Sequence, residues 1–262
     1  MTAPTACILV VGDEILAGHT LDTNSHWVAS RLRDLGVRLE RVEVVPDRPP
    51  EIVGSLRRLA ARTPTFLFVL GGLGPTPDDR TYESVAQALG VPLLADPQHV
   101  AQLKARAAAR GFGASAWADP DRSEGMLRMV KIPQGAVALA NPEGAALGCV
   151  ANLGTTQVAV FPGVPRELKA MFDQSFVPTY LPGARRSDVT EELEVWGAEA
   201  ELWEVLTGLE REHPRVAIGS YPQDQRGRLI LRVRGLPADV APVVDALRAA
   251  ATRLESSRRP KA

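Results

Sequence analysis

Short apolar runs alternate with amphipathic stretches from Cys7 to Leu89. Cys7-Ile8-Leu9-Val10-Val11 is apolar throughout, with a length that suits a strand buried on both faces. From Asn24 onward, Val28, Leu32 and Leu35 recur at helical spacing, with Thr23 or Asp22 placed to cap and Gly36 placed to stop. Val37 to Val45 then alternates as a strand, Leu39 beside Glu40 and Val42 beside Glu43. A second unit repeats the order: a helix starting near Pro49 or Pro50 carries Ile52, Val53, Leu56 and Leu59, and Phe66 to Leu70 reads as the next strand. This alternation predicts an α/β fold whose sheet is mostly parallel and covered by helices on both faces.

Further on, the pattern predicts helices over Asp96–Arg110, broken by Gly111-Phe112-Gly113, and over Asp121–Val130. Strands are expected at Ala136–Ala140, Ala146–Ala151 and Thr156–Phe161, the last two forming a hairpin across Asn152-Leu153-Gly154, followed by a helix from Arg166 to Phe172. Pro178 to Ser187 reads as a linker between two domains, 1–180 and 188–256. The second repeats a β-α-β-β-α order: Glu192–Trp196, Glu199–Leu209, Val216–Tyr221, Leu229–Val233, Pro237–Leu254. It is expected to be a small α+β unit, with a disordered tail from Ser256.

Charge narrows the partners. The formal net charge is −1, and Arg185–Ala262 carries 13 basic and 13 acidic residues, so neither part has the cationic excess that drives non-specific nucleic-acid binding. No Gly-x-x-Gly loop follows Ala184 to clamp RNA. Cys7 and Cys149 are too few for a disulfide framework or a zinc site and are read as buried thiols. No run is long enough for a signal core or a membrane span, so a cytoplasmic protein is expected.

The candidate chemistry sits where two apolar runs end, and ligands of such sheets bind outside the carboxyl ends of strands. After Leu70 comes Gly71-Gly72-Leu73-Gly74-Pro75-Thr76-Pro77-Asp78-Asp79. Glycines let backbone amides approach an anion closely, so Gly71, Gly72 and Gly74 are expected to hold phosphate, with the Thr76 hydroxyl beside them. Carboxylates alone would repel phosphate. Asp78 and Asp79 therefore make sense as ligands or base around a divalent cation, unless one of them caps the helix that follows. After Val11, Asp13 and Glu14 are the next candidates, Glu14 as a third metal ligand or catalytic carboxylate, unless it is a solvated or capping one, and Asp13 as a substrate contact. Asp22 and Asn24 stand at a helix start, either as caps or as ligand contacts. Asn141 and Gly144 lie in a loop between strands. Gly163 and Val164, in Pro162-Gly163-Val164-Pro165, either wall the pocket or make a bare turn.

Taken together and in order, Gly12-Asp13-Glu14-Ile15-Leu16-Ala17-Gly18, Asp22-Thr23-Asn24, Gly71 to Asp79, Asn141-Pro142-Glu143-Gly144 and Pro162 to Pro165 resemble the N-terminal part of the competence-damage-inducible CinA family. The resemblance implies a three-layer α/β/α domain of the MoaB/MogA kind, a KH-like small domain and a homodimer. It further implies hydrolysis of ADP-ribose, or a related nucleotide-sugar pyrophosphate, to AMP and ribose 5-phosphate, dependent on magnesium, manganese or cobalt and helped by potassium. The alternative is a module that binds a pterin phosphate such as molybdopterin without turning it over. Leu73 stands where proteins that insert molybdenum carry threonine, and Gly144-Ala145-Ala146-Leu147-Gly148 stands where many members have Gly-Thr-Ala-Pro-Gly. Family members also carry a deamidase domain beyond the point where this chain ends, so deamidase activity is expected to be absent.

Overall fold

A computed structural model describes residues 3–109, 111, 117, 119–183, 188–223 and 228–258. The chain divides into two compact units, Met1–Ala184 and Arg185–Ala262.

In the first unit β1 (Thr5–Val11) lies between β2 (Arg38–Val45) and β3 (Phe66–Leu70), and pairs in parallel with both. The six-stranded sheet runs β2-β1-β3-β8-β7-β6, with β6 at Val137–Leu139, β7 at Gly148–Leu153 and β8 at Thr156–Phe161. Here β3 and β8 are parallel, and β7 is antiparallel to both its neighbours. Successive side chains of β1 face opposite sides of the sheet. Cys7, Leu9 and Val11 pack with Ile52, Leu56 and Leu59 of α3 (Pro49–Ala60) and with Tyr82 and Val85 of α4 (Thr81–Leu89). Ala6, Ile8 and Val10 pack with Val28 and Leu32 of α2 (Thr23–Asp34) and with Leu168 and Met171 of α7 (Pro165–Met171). Helices thus cover both faces, which makes three layers. The α2 side is aromatic: Phe66, Phe68, Phe161, Phe172 and Phe176 meet at ring-centroid distances from 5.2 to 6.3 Å. Phe172–Phe176 forms a π-helical turn between α7 and α8 (Val177–Tyr180), and both of its phenylalanines face this cluster.

The sheet order reverses direction at β1, since β2 lies on one side and β3 on the other. A ligand cavity is expected at that switch point, beyond the carboxyl ends of β1 and β3.

Several sequence expectations shift. The α4 helix begins at Thr81, with Arg80 in the N-cap position and no side-chain cap, so neither Asp78 nor Asp79 caps it. The β7–β8 hairpin closes one pair later than expected, Leu153 opposite Thr156, because Gly154 supplies the positive φ of 62° that the tight turn needs. Pro178 belongs to α8 and not to a linker, since proline is tolerated in a first helical turn. The helix expected at Asp96–Arg110 runs Pro97–Ala109 (α5), and Phe112 and Gly113 of its expected break lie outside the described residues. The next helix, α6, spans Pro120–Arg128. Two three-residue strands that the sequence did not reveal, β4 (Leu93–Ala95) and β5 (Lys131–Pro133), pair with each other.

The second unit is a three-stranded antiparallel sheet, β10 (Ala217–Pro222), β11 (Arg228–Gly235) and β9 (Val189–Trp196), with helices α9 (Glu199–Glu212) and α10 (Pro237–Arg258). Its own core joins Val195, Leu202, Leu231, Val233, Val243 and Leu247. The α10 helix continues through Ser256 to Arg258, where a disordered tail was expected, and residues 259–262 lie outside the described residues. No helix among the described residues is long and apolar enough to cross a membrane.

Candidate functional site

A cavity of about 570 Å³ opens at the switch point. Glu14, Asp22, Asn24, Gly71, Gly72, Gly74, Asp78, Asp79, Gly163 and Val164, all candidates from the sequence, line it. Asp13, Thr76, Asn141 and Gly144 do not. Asp47 and Glu167, which the sequence reading missed, do.

The glycines have structural reasons of their own. At Gly71, with φ 101°, a Cβ would lie 2.3 Å from the Val11 carbonyl oxygen. Gly72, with φ 66°, has its Cβ direction filled by Thr81 Oγ1 at 2.3 Å, and Gly74 has Asp79 Oδ2 at 2.5 Å. These side chains are excluded by protein atoms, whereas the sequence reading had ligand approach excluding them. The Gly71 amide is also spent, donating to the Phe161 carbonyl at 3.0 Å, so it cannot hold phosphate. Among the described residues, the amides of Gly72 and Gly74 have no protein acceptor. Leu73 is buried in the same core cluster as Val69 and Tyr82, so its side chain meets a packing demand.

Acid residues crowd the floor. Asp79 folds back on its own loop, its Oδ2 accepting from the Thr76 amide at 3.0 Å and the Thr76 hydroxyl at 2.5 Å. Thr76 is therefore a loop fastener and does not reach the cavity. Asp78 projects into solvent, and the Thr76 hydroxyl, its own amide and the Arg128 charge hold its carboxyl below the usual range against a small desolvation. Asp47 follows β2 and accepts from the Asp13 amide at 2.8 Å. Burial pushes the Asp47 carboxyl up; the Asp13 amide opposes this, and the charges of Glu14, Asp13 and Asp78 add to it. Asp13 itself contributes that amide and its charge from outside the cavity. A strand-end aspartate after Val45-Pro46 was the available signal for Asp47, equal in kind to the one that pointed to Glu14.

On the opposite wall Asp22 caps α2 by accepting from the Ser25 amide at 2.9 Å, which settles the choice between Asp22 and Thr23. Asn24 Nδ2 donates to the Gly163 carbonyl at 2.7 Å and so ties α2 to the turn after β8. Asn141 is buried and works behind the cavity: its Nδ2 donates to the Ala146 carbonyl and to Glu167 Oε2, and its Oδ1 accepts from the amides of Glu143 and Gly144. Gly144 makes room for the Glu167 carboxylate. Tyr82 donates to the Leu147 and Met129 carbonyls and fastens the same loop from the other layer. Both thiols are buried, and burial raises Cys149 to about 12, which leaves it inert as the sequence suggested.

Glu14, Asp78 and Asp79 share one cavity without converging as a three-ligand set, and among the described residues no three His, Cys, Asp or Glu side chains do so. One or two carboxylates, with ligand phosphates and water, are the ordinary complement of a bound magnesium ion. The donor set fits that arrangement: among the described residues the lining holds six carboxylates (Glu14, Asp22, Asp47, Asp78, Asp79, Glu167) and no lysine, arginine or histidine.

The family described as "Probable molybdopterin binding domain" matches residues 7–181. A crystal structure of "the protein CinA with unknown function" from Thermoplasma acidophilum superposes with a TM-score of 0.57 at 34% identity, covering 65% of this chain and 95% of that one. This chain belongs to the CinA-like family of such domains. A CinA-like protein of Myxococcus xanthus is 45% identical over 171 residues, 65% of this chain, but the match spans only 38% of that relative's length. A protein of Aeropyrum pernix is 37% identical over 259 residues, 98% of this chain and 93% of that one. The family match thus falls on the unit that carries the cavity.

Proposed function

We propose that the cavity binds a phosphorylated heterocycle of the molybdopterin class together with a divalent cation. The observation that carries this reading is the pairing of two unspent loop amides, at Gly72 and Gly74, with a lining rich in carboxylates and empty of basic side chains. Backbone amides favour an anion. Six carboxylates disfavour it. A divalent cation reconciles the two, and when bound it would neutralise phosphoryl oxygens and lower the pKa of bound water. One or two of Glu14, Asp47 and Asp78 would hold it, with ligand oxygens and water as the rest of its shell.

Titration of the protein with inorganic pyrophosphate, with magnesium and then with excess chelator, tests the reading. Binding with magnesium and at least ~10-fold weaker binding in chelator is the expected result. Equal binding in both removes the cation from the account.

Turnover is a second reading, favoured by Asp47. A carboxyl raised by burial beside a phosphate cradle is suited to take a proton from water, as hydrolysis of ADP-ribose or a related pyrophosphate to AMP and ribose 5-phosphate requires. In that case Asp47→Asn lowers the rate of AMP formation by at least ~100-fold. If the wild-type protein with magnesium makes no AMP from ADP-ribose, the binding reading stands alone.

A further inference from the structure

Besides the glycine loop and its acids, the cavity lining includes Met129, Ala145, Ala146 and Pro165, an apolar surface suited to the face of a ring, and Glu167 as a further acid.

Glu167 lies in the first turn of α7, where a solvated glutamate near the helix N-terminus would need no further support. It has a great deal. Its carboxylate lies against Gly144 so closely that a Cβ there would come within 2.2 Å of the carboxyl carbon. Asn141, 1% exposed, donates to Glu167 Oε2 at 2.7 Å. The other three hydrogen-bonding positions of the Asn141 amide are spent on the Ala146 carbonyl (2.9 Å) and on the amides of Glu143 (3.0 Å) and Gly144 (2.8 Å). Behind the loop, Arg106 Nη1 donates to the carbonyls of Asn141 (2.7 Å) and Gly144 (2.8 Å). A buried amide with every position used and a guanidinium clamp fix one carboxylate at the cavity wall. Among the described residues no cationic side chain lines the cavity, so the free acceptor positions of this partly exposed carboxylate are open to donors of a ligand in exchange for water.

We infer that Glu167 selects the ring system of the ligand by accepting two parallel hydrogen bonds from a ring N–H and its neighbouring exocyclic NH2, the edge shared by pterins and guanine. The inference rests on the binding reading, adds to it the identity of the ring, and stands against the ADP-ribose reading, whose ring is adenine. A carboxylate is acceptor-only and matches that edge at both oxygens. Adenine offers one donor beside a ring nitrogen lone pair, which would face the carboxylate and repel it. A site built to pair with donors rejects an analogue that lacks one.

Equilibrium binding with magnesium present, using guanosine monophosphate, neopterin monophosphate, adenosine monophosphate and inorganic pyrophosphate as probes, tests this. The wild-type protein is expected to bind the guanine or the pterin probe at least ~10-fold tighter than the adenine probe, the scale of one charge-assisted hydrogen bond. Which of the two binds tighter identifies the source of the edge. In Glu167→Gln, one acceptor becomes a donor, so the ratio should fall towards one. Gly144→Ala, which displaces the carboxylate without removing it, should lower the ratio in the same direction. If pyrophosphate binds and the wild-type protein does not separate guanine and pterin from adenine, the inference fails while the phosphate reading survives. A folded Glu167→Gln protein that keeps the wild-type ratio also overturns it. If pyrophosphate itself does not bind, both fall.

Discussion

Asp47 illustrates how a single carboxyl can be tuned by its setting. Burial and the charges of Glu14, Asp13 and Asp78 raise its folded-state value above the unfolded one, so the ionised form costs stability. That cost is absent below the unfolded value of about 4 and complete once the pH has risen through the folded value. Asp47→Asn is therefore expected to raise the melting temperature of the ligand-free protein at pH 7, with the advantage shrinking as the pH is lowered towards 4, while weakening magnesium-dependent binding. Thermal melts at both values check the first part and titration the second. Gly71 is the converse case, a residue fixed by geometry. A Cβ at φ 101°, 2.3 Å from the Val11 carbonyl, has nowhere to go, and Gly71→Ala should cost roughly 2–4 kcal/mol in urea denaturation. The sequence marked Gly71 correctly as special but for a different cause, because periodicity and composition identify where a chain turns without revealing which atom fills the space beside it. Glu167 was illegible for a related reason: an acid in a first helical turn satisfies the helix dipole, and only the Asn141 loop, 26 residues away in sequence, gives it another partner.

At the scale of elements, long periodic segments were readable and short ones were not. Helices α2 and α3 appear close to where their apolar spacing put them, because a stripe of Val28 and Leu32, or of Ile52, Leu56 and Leu59, must face a core. Strands of three residues such as β4 and β5 bury too little to leave a pattern and exist because tertiary neighbours pair them. The cap of α2 was legible as a choice between two residues, and the structure assigns it to Asp22; Asp22→Ala is expected to cost about 1 kcal/mol of stability. The π-helical turn at Phe172–Phe176 left no sequence signal, yet it keeps two rings on one side. Phe176 is fully buried against Phe66, Phe68, Phe161 and Phe172, so Phe176→Ala should cost about 3–5 kcal/mol, measured by chemical denaturation.

Across the whole molecule, the two units have separate hydrophobic cores, and the cavity draws all of its lining from the first. A chain ending at Ala184 should therefore fold and keep magnesium-dependent pyrophosphate binding within about twofold, and calorimetry of the full chain should resolve two transitions. If self-association runs through the second unit, sedimentation will show the shortened chain to be more weakly associated. The floor of the cavity is knitted to the sheet by its own backbone: the Gly12 amide is held by Val45 and the Gly71 amide by Phe161, while Gly72 and Gly74 lie one step beyond. In deuterated solvent those two pairs should behave as internal clocks of different speed. Gly12 and Gly71 will take up label only when the sheet itself opens, slowly even in the empty protein, and ligand will slow them further only by stabilising the folded domain. Gly72 and Gly74 will label quickly in the empty protein and slow in proportion to occupancy, so that one isotope trace reports both the integrity of the domain and the filling of its site.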